Sequence, residues 1–150
     1  MKLVIASDHA GFSLKEEVRA YLAKTGHEVL DLGAFKCEPQ DDYPDFAERV
    51  GEAIKDGEAP RGILICGSGV GVSIAANKIP GIRAAMCYDE DSARNSREHN
   101  GANVLTLGGK KISDGQMREI VRVWLSTDLT EERHRRRIAK IDALLRHELR

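Results

Sequence analysis

The sequence predicts an α/β fold in which an open, five-stranded parallel sheet carries helices on both faces. Strand-like and helix-like segments alternate along the whole chain, as expected of right-handed β-α-β crossovers. The stretch at 62–66 is continuously apolar, which is typical of a strand covered on both faces, and residues 2–7 (KLVIAS) form a second buried-strand pattern. All 150 residues fit one domain, because a chain of this length buries a sufficient core without disulfides or structural metal.

Local patterns in the first half of the chain indicate two strands and two helices. The sequence Ser13-Leu14-Lys15-Glu16 has the form of a capping box, and Gly26 ends the helix that it opens. Phe46 and Val50 lie on one face of the second helix. The loop at 33–42 has no clear periodicity. The predicted elements are a strand at 2–7, a helix at 13–24, a short strand at 28–32 and a helix at 45–56.

The second half continues the alternation and ends in two helices. Pro80-Gly81 turns the chain into a strand, and the helix that follows begins with acidic residues, as the helix dipole favours. His99-Asn100-Gly101 marks the end of that helix. The predicted elements are strands at 62–66, 82–87 and 103–107 and helices at 72–78, 89–98, 116–125 and 130–149, the last being the long C-terminal helix.

The most informative stretch is residues 61–78, which read RGILICGSGVGVSIAANK. Its glycine loop, 67–71, lies between a buried strand and a helix, where free backbone amides favour an anion. Cys66 stands at the edge of this loop, in a position that favours its thiolate. The loop fits neither the dinucleotide-binding pattern nor a Walker loop. The alternative interpretation is a tight turn in which Cys66 is a small buried hydrophobic residue.

Composition excludes several classes of protein. Lysine and arginine number 23 against 24 aspartates and glutamates, so the net charge of −1 favours neither nucleic acid nor an anionic membrane. No run of 18 apolar residues occurs, and the N-terminus becomes polar too early for a signal peptide, so we expect a soluble, cytoplasmic protein. The three cysteines contain no CxxC pair, which predicts reduced thiols and no zinc site.

In an open α/β sheet, ligands bind beyond the carboxyl ends of the strands. Asp8 and His9 directly follow the first strand, so we expect at least one of them at the ligand-binding edge. The same rule selects the loop 66–71, the segment after Cys87, and residues 108–110. Alternatively, Asp8 caps a turn and His9 is a solvated loop residue.

Other candidate residues lie on helices. Arg133 and Arg137 are four residues apart and share a helix face, where like charges cost about 0.2–0.5 kcal/mol unless an anion binds between them. Two guanidinium groups on one face suit a phosphate. The alternative is a solvated basic face. His99 alone is equally consistent with a cation at a helix C-terminus, and Tyr43 with a residue that packs on the helix after Pro44.

With these residues assembled, the sequence resembles the sugar-phosphate isomerase family that includes the type B ribose-5-phosphate isomerases and the galactose-6-phosphate and allose-6-phosphate isomerases. The resemblance rests on SDHAGFSLK at 7–15, DYPDFA at 42–47, CGSGVGVSIAANKIPGIRAA at 66–85, REHNGANVLTLGG at 97–109 and the arginine pair. It implies a Rossmann-like domain that forms a homodimer or tetramer, with active sites shared between subunits. It also implies no metal, no organic cofactor, and no nucleic-acid or membrane partner.

The resemblance assigns roles residue by residue. It makes Cys66 the catalytic base and His99 the group that opens the sugar ring, with Asp8 moving protons and Ser68 facing the oxyanion. The phosphate is held by His9, Arg133 and Arg137, and a partner-subunit contact is expected at Lys110. The substrate contacts fall on Asp8, His9, Tyr43, Gly67, Ser68, Gly69, Val70, Gly71 and Asn100. Many relatives have threonine at the position of Ser68, and residues 72–74 contain no carboxylate that could replace Cys66 as base.

The activity that the resemblance implies is interconversion of ribose 5-phosphate and ribulose 5-phosphate through an enediolate, a step of the pentose phosphate pathway. One alternative is isomerisation of a hexose phosphate, allose 6-phosphate or galactose 6-phosphate. An alternative of another class is a flavodoxin-like nucleotide-binding or signalling module. A receiver-type signalling site would need an acidic cluster after the first strand and an aspartate at the end of the third, where this chain has Asp8 and Cys66.

Overall fold

The computed structural model describes the backbone of residues 1–148 and the side chains of residues 1–145. Its core is a parallel sheet of five strands in the order β2-β1-β3-β5-β4. The strands are β1 (Lys2–Ser7), β2 (Glu28–Asp31), β3 (Arg61–Cys66), β4 (Ala84–Met86) and β5 (Val104–Gly108). The predicted fold class is therefore confirmed, with β3 in the centre of the sheet. Within the described residues, no helix is both long enough and apolar enough to cross a bilayer.

Six α-helices connect and cover the strands. They are α1 (Phe12–Lys24), α2 (Tyr43–Lys55), α3 (Val70–Ala76), α4 (Glu90–Glu98), α5 (Asp114–Ser126) and α6 (Glu132–Glu148). A short 3₁₀ turn, His9–Gly11, precedes α1. The expected end of the last helix at residue 149 lies outside the described residues.

Two hydrophobic clusters explain why the central strands are continuously apolar. Leu3 and Ile5 of β1 belong to the cluster beneath α1, α4 and α5, which includes the fully buried Trp124. Val4 and Ala6 alternate with them and belong to the cluster beneath α2 and α3. Because side chains alternate between the two faces of a strand, covering both faces requires an apolar residue at every position.

The predicted capping box at Ser13 is wrong. Helix α1 begins at Phe12, with Gly11 in the cap position and no side-chain cap. Asp8 instead caps the preceding 3₁₀ turn by accepting a hydrogen bond from the Gly11 N–H at 3.0 Å. This turn leads directly into α1, so the helix is already under way before the serine could cap it.

Several predicted boundaries also shift. Helix α2 begins at Tyr43 and not at residue 45, because Pro44 is well suited to the first turn of a helix. Helix α3 occupies Val70–Ala76 where 72–78 was predicted, and α6 begins at Glu132 instead of residue 130. Strand β4 contains only three residues, because the Arg83 N–H donates to the Asn103 side chain at 2.8 Å and lies outside the strand pairing.

Candidate active site

Three loops meet at the carboxyl edge of the sheet. The Asp8 N–H after β1 donates to the carbonyl of Ile65 in β3 at 3.3 Å. The Gly109 N–H after β5 donates to the carbonyl of Cys66 at 2.8 Å, and the Lys110 N–H donates to that of Gly67 at 3.1 Å. The adjacent positions of β1, β3 and β5 thus bring these loops together, as the strand-end rule predicts.

Cys66 ends β3 with its side chain almost buried, at 4% exposure. Its Sγ accepts a hydrogen bond from the Gly69 N–H at 3.2 Å. The Ser68 Oγ accepts one from the Val70 N–H at 3.2 Å, which leaves the Ser68 hydroxyl hydrogen available to another acceptor. The Thr106 hydroxyl holds the loop in place by donating to the Gly69 carbonyl at 2.8 Å. The sulfur therefore faces a backbone donor whose position the loop fixes.

The conformation of this loop depends on Gly69. Its φ of +82° lies in the left-handed region, and an added Cβ would lie 2.9 Å from the carbonyl carbon of Leu107. We expect Gly69→Ala to lower the free energy of unfolding by about 3 kcal/mol, since backbone strain and a clash with backbone atoms act together. Chemical denaturation measures this loss.

Gly57 provides the matched control, because it has nearly the same φ of +80° and no atom within 4 Å of an added Cβ. Gly57→Ala should therefore cost only the conformational strain, about 1 kcal/mol. Equal losses in the two variants would contradict the steric part of the argument.

Asp8 provides a buried carboxyl beside this loop, at 5% exposure. Burial raises the pKa of Asp8 above its ordinary value, although the hydrogen bond from the Gly11 N–H and the nearby His9 oppose the shift. A carboxyl whose neutral form is favoured in this way can give and take protons nearer to neutral pH than an exposed aspartate can.

His9 is held by an aspartate that the sequence analysis missed. The Oδ1 of Asp41 accepts hydrogen bonds from the backbone N–H of His9 at 3.0 Å and from its ring Nδ1 at 2.6 Å. This pair of hydrogen bonds fixes the orientation of the ring. Donor atoms of Asp8, His9 and Asp41 lie within 4.8 Å of one another, and the existing bond from His9 to Asp41 accounts for that proximity without a metal ion.

Tyr43 and Lys110 also lie beside the glycine loop. The ring of Tyr43 covers Gly71 so closely that an added Cβ there would lie 2.7 Å from ring carbons. Thus Tyr43 both begins α2 and contacts the loop of the candidate site. The Lys110 side chain reaches toward Gly67 of its own chain. Asp8, His9, Tyr43, the loop at 66–71 and Lys110 therefore all lie at the carboxyl edge of the sheet.

The remaining predicted site residues lie at the opposite edge of the sheet. His99 follows α4, which runs back from the carboxyl edge to the start of β5. Gly101 contacts Ile138 of α6, so the first turns of α6, including Arg133 and Arg137, lie at the same amino edge as His99 and Asn100. Strand β5 separates the two edges by about 13 Å. One chain by itself does not bring His99 to Cys66.

His99 has a close aromatic neighbour, His134, that the sequence analysis did not single out. The rings of His99 and His134 stack with their centroids 4.4 Å apart and their planes at 27°. Burial lowers the pKa of His134, and the charges of His99 and Arg133 lower it further. The helical period could have separated His134 from the surrounding arginines, because it lies four residues before the buried Ile138 and so on the same face of α6. Its contact with His99, however, is decided by the packing of α6 on the end of α4.

Comparison with solved structures finds the same fold in ribose-5-phosphate isomerases of type B. A ribose-5-phosphate isomerase B of Clostridium thermocellum superposes with a TM-score of 0.96, at 48% identity over 99% of each chain. A ribose-5-phosphate isomerase B of Mycoplasma genitalium with bound ribulose-5-phosphate gives a TM-score of 0.90, at 40% identity over 98% of this chain and 95% of that one.

Sequence comparison agrees with the structural one. A putative sugar phosphate isomerase of Bacillus subtilis is 45% identical over 94% of this chain and 95% of its own. The ribose-5-phosphate isomerase B of Escherichia coli is 44% identical over 95% of both chains. The family model described as Ribose/Galactose Isomerase matches residues 3–141. The chain therefore belongs to the ribose/galactose isomerase family.

Proposed function

We propose that this protein is a ribose-5-phosphate isomerase that interconverts ribose 5-phosphate and ribulose 5-phosphate through an enediolate, with Cys66 as the base. The observation that carries the proposal is the Cys66 sulfur, which faces the Gly69 N–H at 3.2 Å. The buried carboxyl of Asp8 follows the neighbouring strand. Relatives that bear this name cover nearly the whole chain, and one of them is a structure with bound ribulose-5-phosphate.

The geometry suits each step of this reaction. The Cys66 thiolate removes the proton from carbon 2 of the open-chain aldose and returns it to carbon 1. The oxygen that gains charge in the enediolate is stabilised by the loop amides and by the Ser68 hydroxyl, which is exposed to solvent. Asp8 moves protons between the two oxygens of the enediolate. Binding of the distant phosphate contributes orientation at the reacting carbons.

A complete site needs a second copy of the chain, and we infer that the protein is a homodimer with shared active sites. His99, Arg133 and Arg137 are needed near Cys66 for ring opening and phosphate binding, yet they lie at the other edge of the sheet. In a twofold dimer each copy can contribute its amino edge to the carboxyl edge of its partner. Both sites are then completed at once.

An apolar surface is available for this contact. Val70 and Ile74 on α3 and Ile141 and Leu144 on α6 are large, exposed apolar side chains, and Leu144 is 67% exposed. A groove of about 540 Å³ between the end of α3 and α6 is lined by Ile141 and Leu144 and also by Asn100. Helix α3 begins at the Cys66 loop, so an interface here would reach both edges of the sheet.

Turnover of ribose 5-phosphate by the purified protein, with chelator present, tests the proposed function. We expect ribulose 5-phosphate to form at a rate that the chelator does not change. Allose 6-phosphate, assayed in parallel, tests the hexose alternative, because the chemistry is the same and only the depth of the pocket differs. If neither sugar phosphate turns over, a binding module with the same sheet becomes the better interpretation.

We expect Asp41→Asn to raise KM for ribose 5-phosphate about tenfold with a smaller change in kcat. The substitution replaces the carboxylate that orients His9, and His9 is proposed to bind the phosphate. Steady-state kinetics measures the two constants separately.

Glu38→Gln is the matched control for this variant. Glu38 lies in the same loop and is exposed, so its replacement removes the same charge without touching His9. An equal rise in KM for both variants would mean that general loop charge, and not the contact with His9, is responsible.

A further inference from the structure

His134 occupies an unusual place in the first turns of α6. The neighbouring positions Arg133, Arg135, Arg136 and Arg137 are exposed, whereas His134 is buried at 4% exposure. Its Nε2 is buried and has no hydrogen-bond partner among the residues that the structure describes. Leaving a buried polar atom without a partner is unfavourable. Filling space therefore does not explain the residue, because an aliphatic side chain would do so without that cost, whereas it would offer no flat ring to a neighbour.

His99, by contrast, has few restraints of its own. It follows the last turn of α4, its side chain is 41% exposed, and the carboxylate of Glu98 approaches its Nε2 only to 4.0 Å. The face-to-face contact with His134, at 4.4 Å between centroids, is the closest ring contact recorded for it within the described part of the chain. The buried ring of His134 therefore provides a rigid surface that limits the orientations of the exposed ring of His99.

We propose that His134 is a positioning residue, whose buried ring fixes the plane of the His99 imidazole for opening of the ribose 5-phosphate ring. This inference rests on the proposed function and adds to it a residue that acts through His99 without touching substrate. Its effect should therefore be confined to the one step in which His99 takes part.

That step is separable from the transfer of protons between carbons. In ring opening, the hydroxyl on carbon 1 loses its proton, the carbon 1 to ring-oxygen bond breaks, the ring oxygen gains a proton, and the carbon 1 to oxygen bond becomes the aldehyde double bond. Ribulose 5-phosphate cannot form the corresponding furanose, because its oxygen 5 carries the phosphate. Exchange of its carbon 1 proton with solvent thus requires Cys66 but no ring opening.

The test compares two rates in the same variants: kcat for ribose 5-phosphate, and deuterium incorporation at carbon 1 of ribulose 5-phosphate in D₂O. We expect His134→Leu to lower kcat about ten- to a hundredfold, since small errors in placing an acid-base group have effects of this size. Deuterium incorporation should stay within about twofold of wild type. His134→Gln, which keeps a polar end, should show the same difference between the two rates.

Two further variants separate stacking from other roles of the side chain. His134→Phe keeps a flat ring and should restore most of the lost kcat. Ile138→Val alters the neighbouring buried residue on the same face of α6 and should leave both rates within about twofold of wild type, although it removes a buried methyl group.

Three outcomes would overturn the inference. The first is an equal loss of kcat and of deuterium incorporation in His134→Leu and His134→Gln, and the second is wild-type kcat in these two variants. The third is a kcat of His134→Phe as low as that of His134→Leu. Failure of the proposed function would look different, because the wild-type protein would then show neither turnover of ribose 5-phosphate nor exchange of ribulose 5-phosphate.

Discussion

Replacing Cys66 with alanine is expected to lower kcat for ribose 5-phosphate about a thousandfold or more, which is the contribution typical of a positioned acid-base group. No carboxylate follows in residues 72–74 that could take over the proton transfer. The side chain is small and is replaced by a smaller one, so the loop should keep its conformation. Binding of ribulose 5-phosphate, measured by calorimetry, should therefore persist.

The other two cysteines are the matched controls. Cys87 is as buried as Cys66, and burial raises the pKa of its thiol to about 11, so it stays protonated at neutral pH. Cys37 is exposed. Cys87→Ala and Cys37→Ser should both keep wild-type kcat. Turnover by Cys66→Ala at the rate of these controls would eliminate Cys66 as the base, and loss of activity in all three would indicate general damage.

Two inactive variants are expected to restore activity to each other when they are combined in one dimer. The first variant is Cys66→Ala, which damages the carboxyl edge. The second is Arg133→Ala with Arg137→Ala, which damages the amino edge and removes only exposed side chains. In a twofold dimer with shared sites, the heterodimer pairs the intact Cys66 of one chain with the intact arginines of the other.

The purified heterodimer should then have about half the activity of the wild-type dimer, because one of its two sites is intact. Co-expression with two different affinity tags isolates this species. If each site instead lay within a single chain, every site in the heterodimer would carry a defect and the activity would be that of the parents. A monomeric wild-type protein in light scattering would contradict the shared site independently.

The fold follows from sequence because local patterns and tertiary packing agree. Strand β3 has no polar residue after Arg61, and both of its faces are in fact covered. The strand-end rule correctly predicts that Asp8, Cys66 and Gly109 converge, since it depends only on parallel strands being neighbours. The predicted start of a helix was wrong where two local preferences competed. At Ser13 the predicted capping box lost to the turn capped by Asp8, which begins earlier in the chain.

Contacts between distant segments depended on the tertiary structure. Asp41 lies in a loop without periodicity, and only the path of that loop brings it within 2.6 Å of His9. The helical period aligns His134 with the buried Ile138, but only the packing of α6 shows that the histidine stacks on His99.

By itself, the sequence determined the sheet, the glycine loop with Cys66 at its edge, and the motifs of the family, because each depends on residues close together in the chain. Only the tertiary structure decided that His99 and the arginine pair lie about 13 Å from that edge, across the length of β5. For His99 the reason is that a helix connecting two parallel strands must return to the edge where the next strand begins, which carries the residues at its end away from the loop. For the arginine pair it is the packing of α6 on the end of α4, through His134 and Ile138.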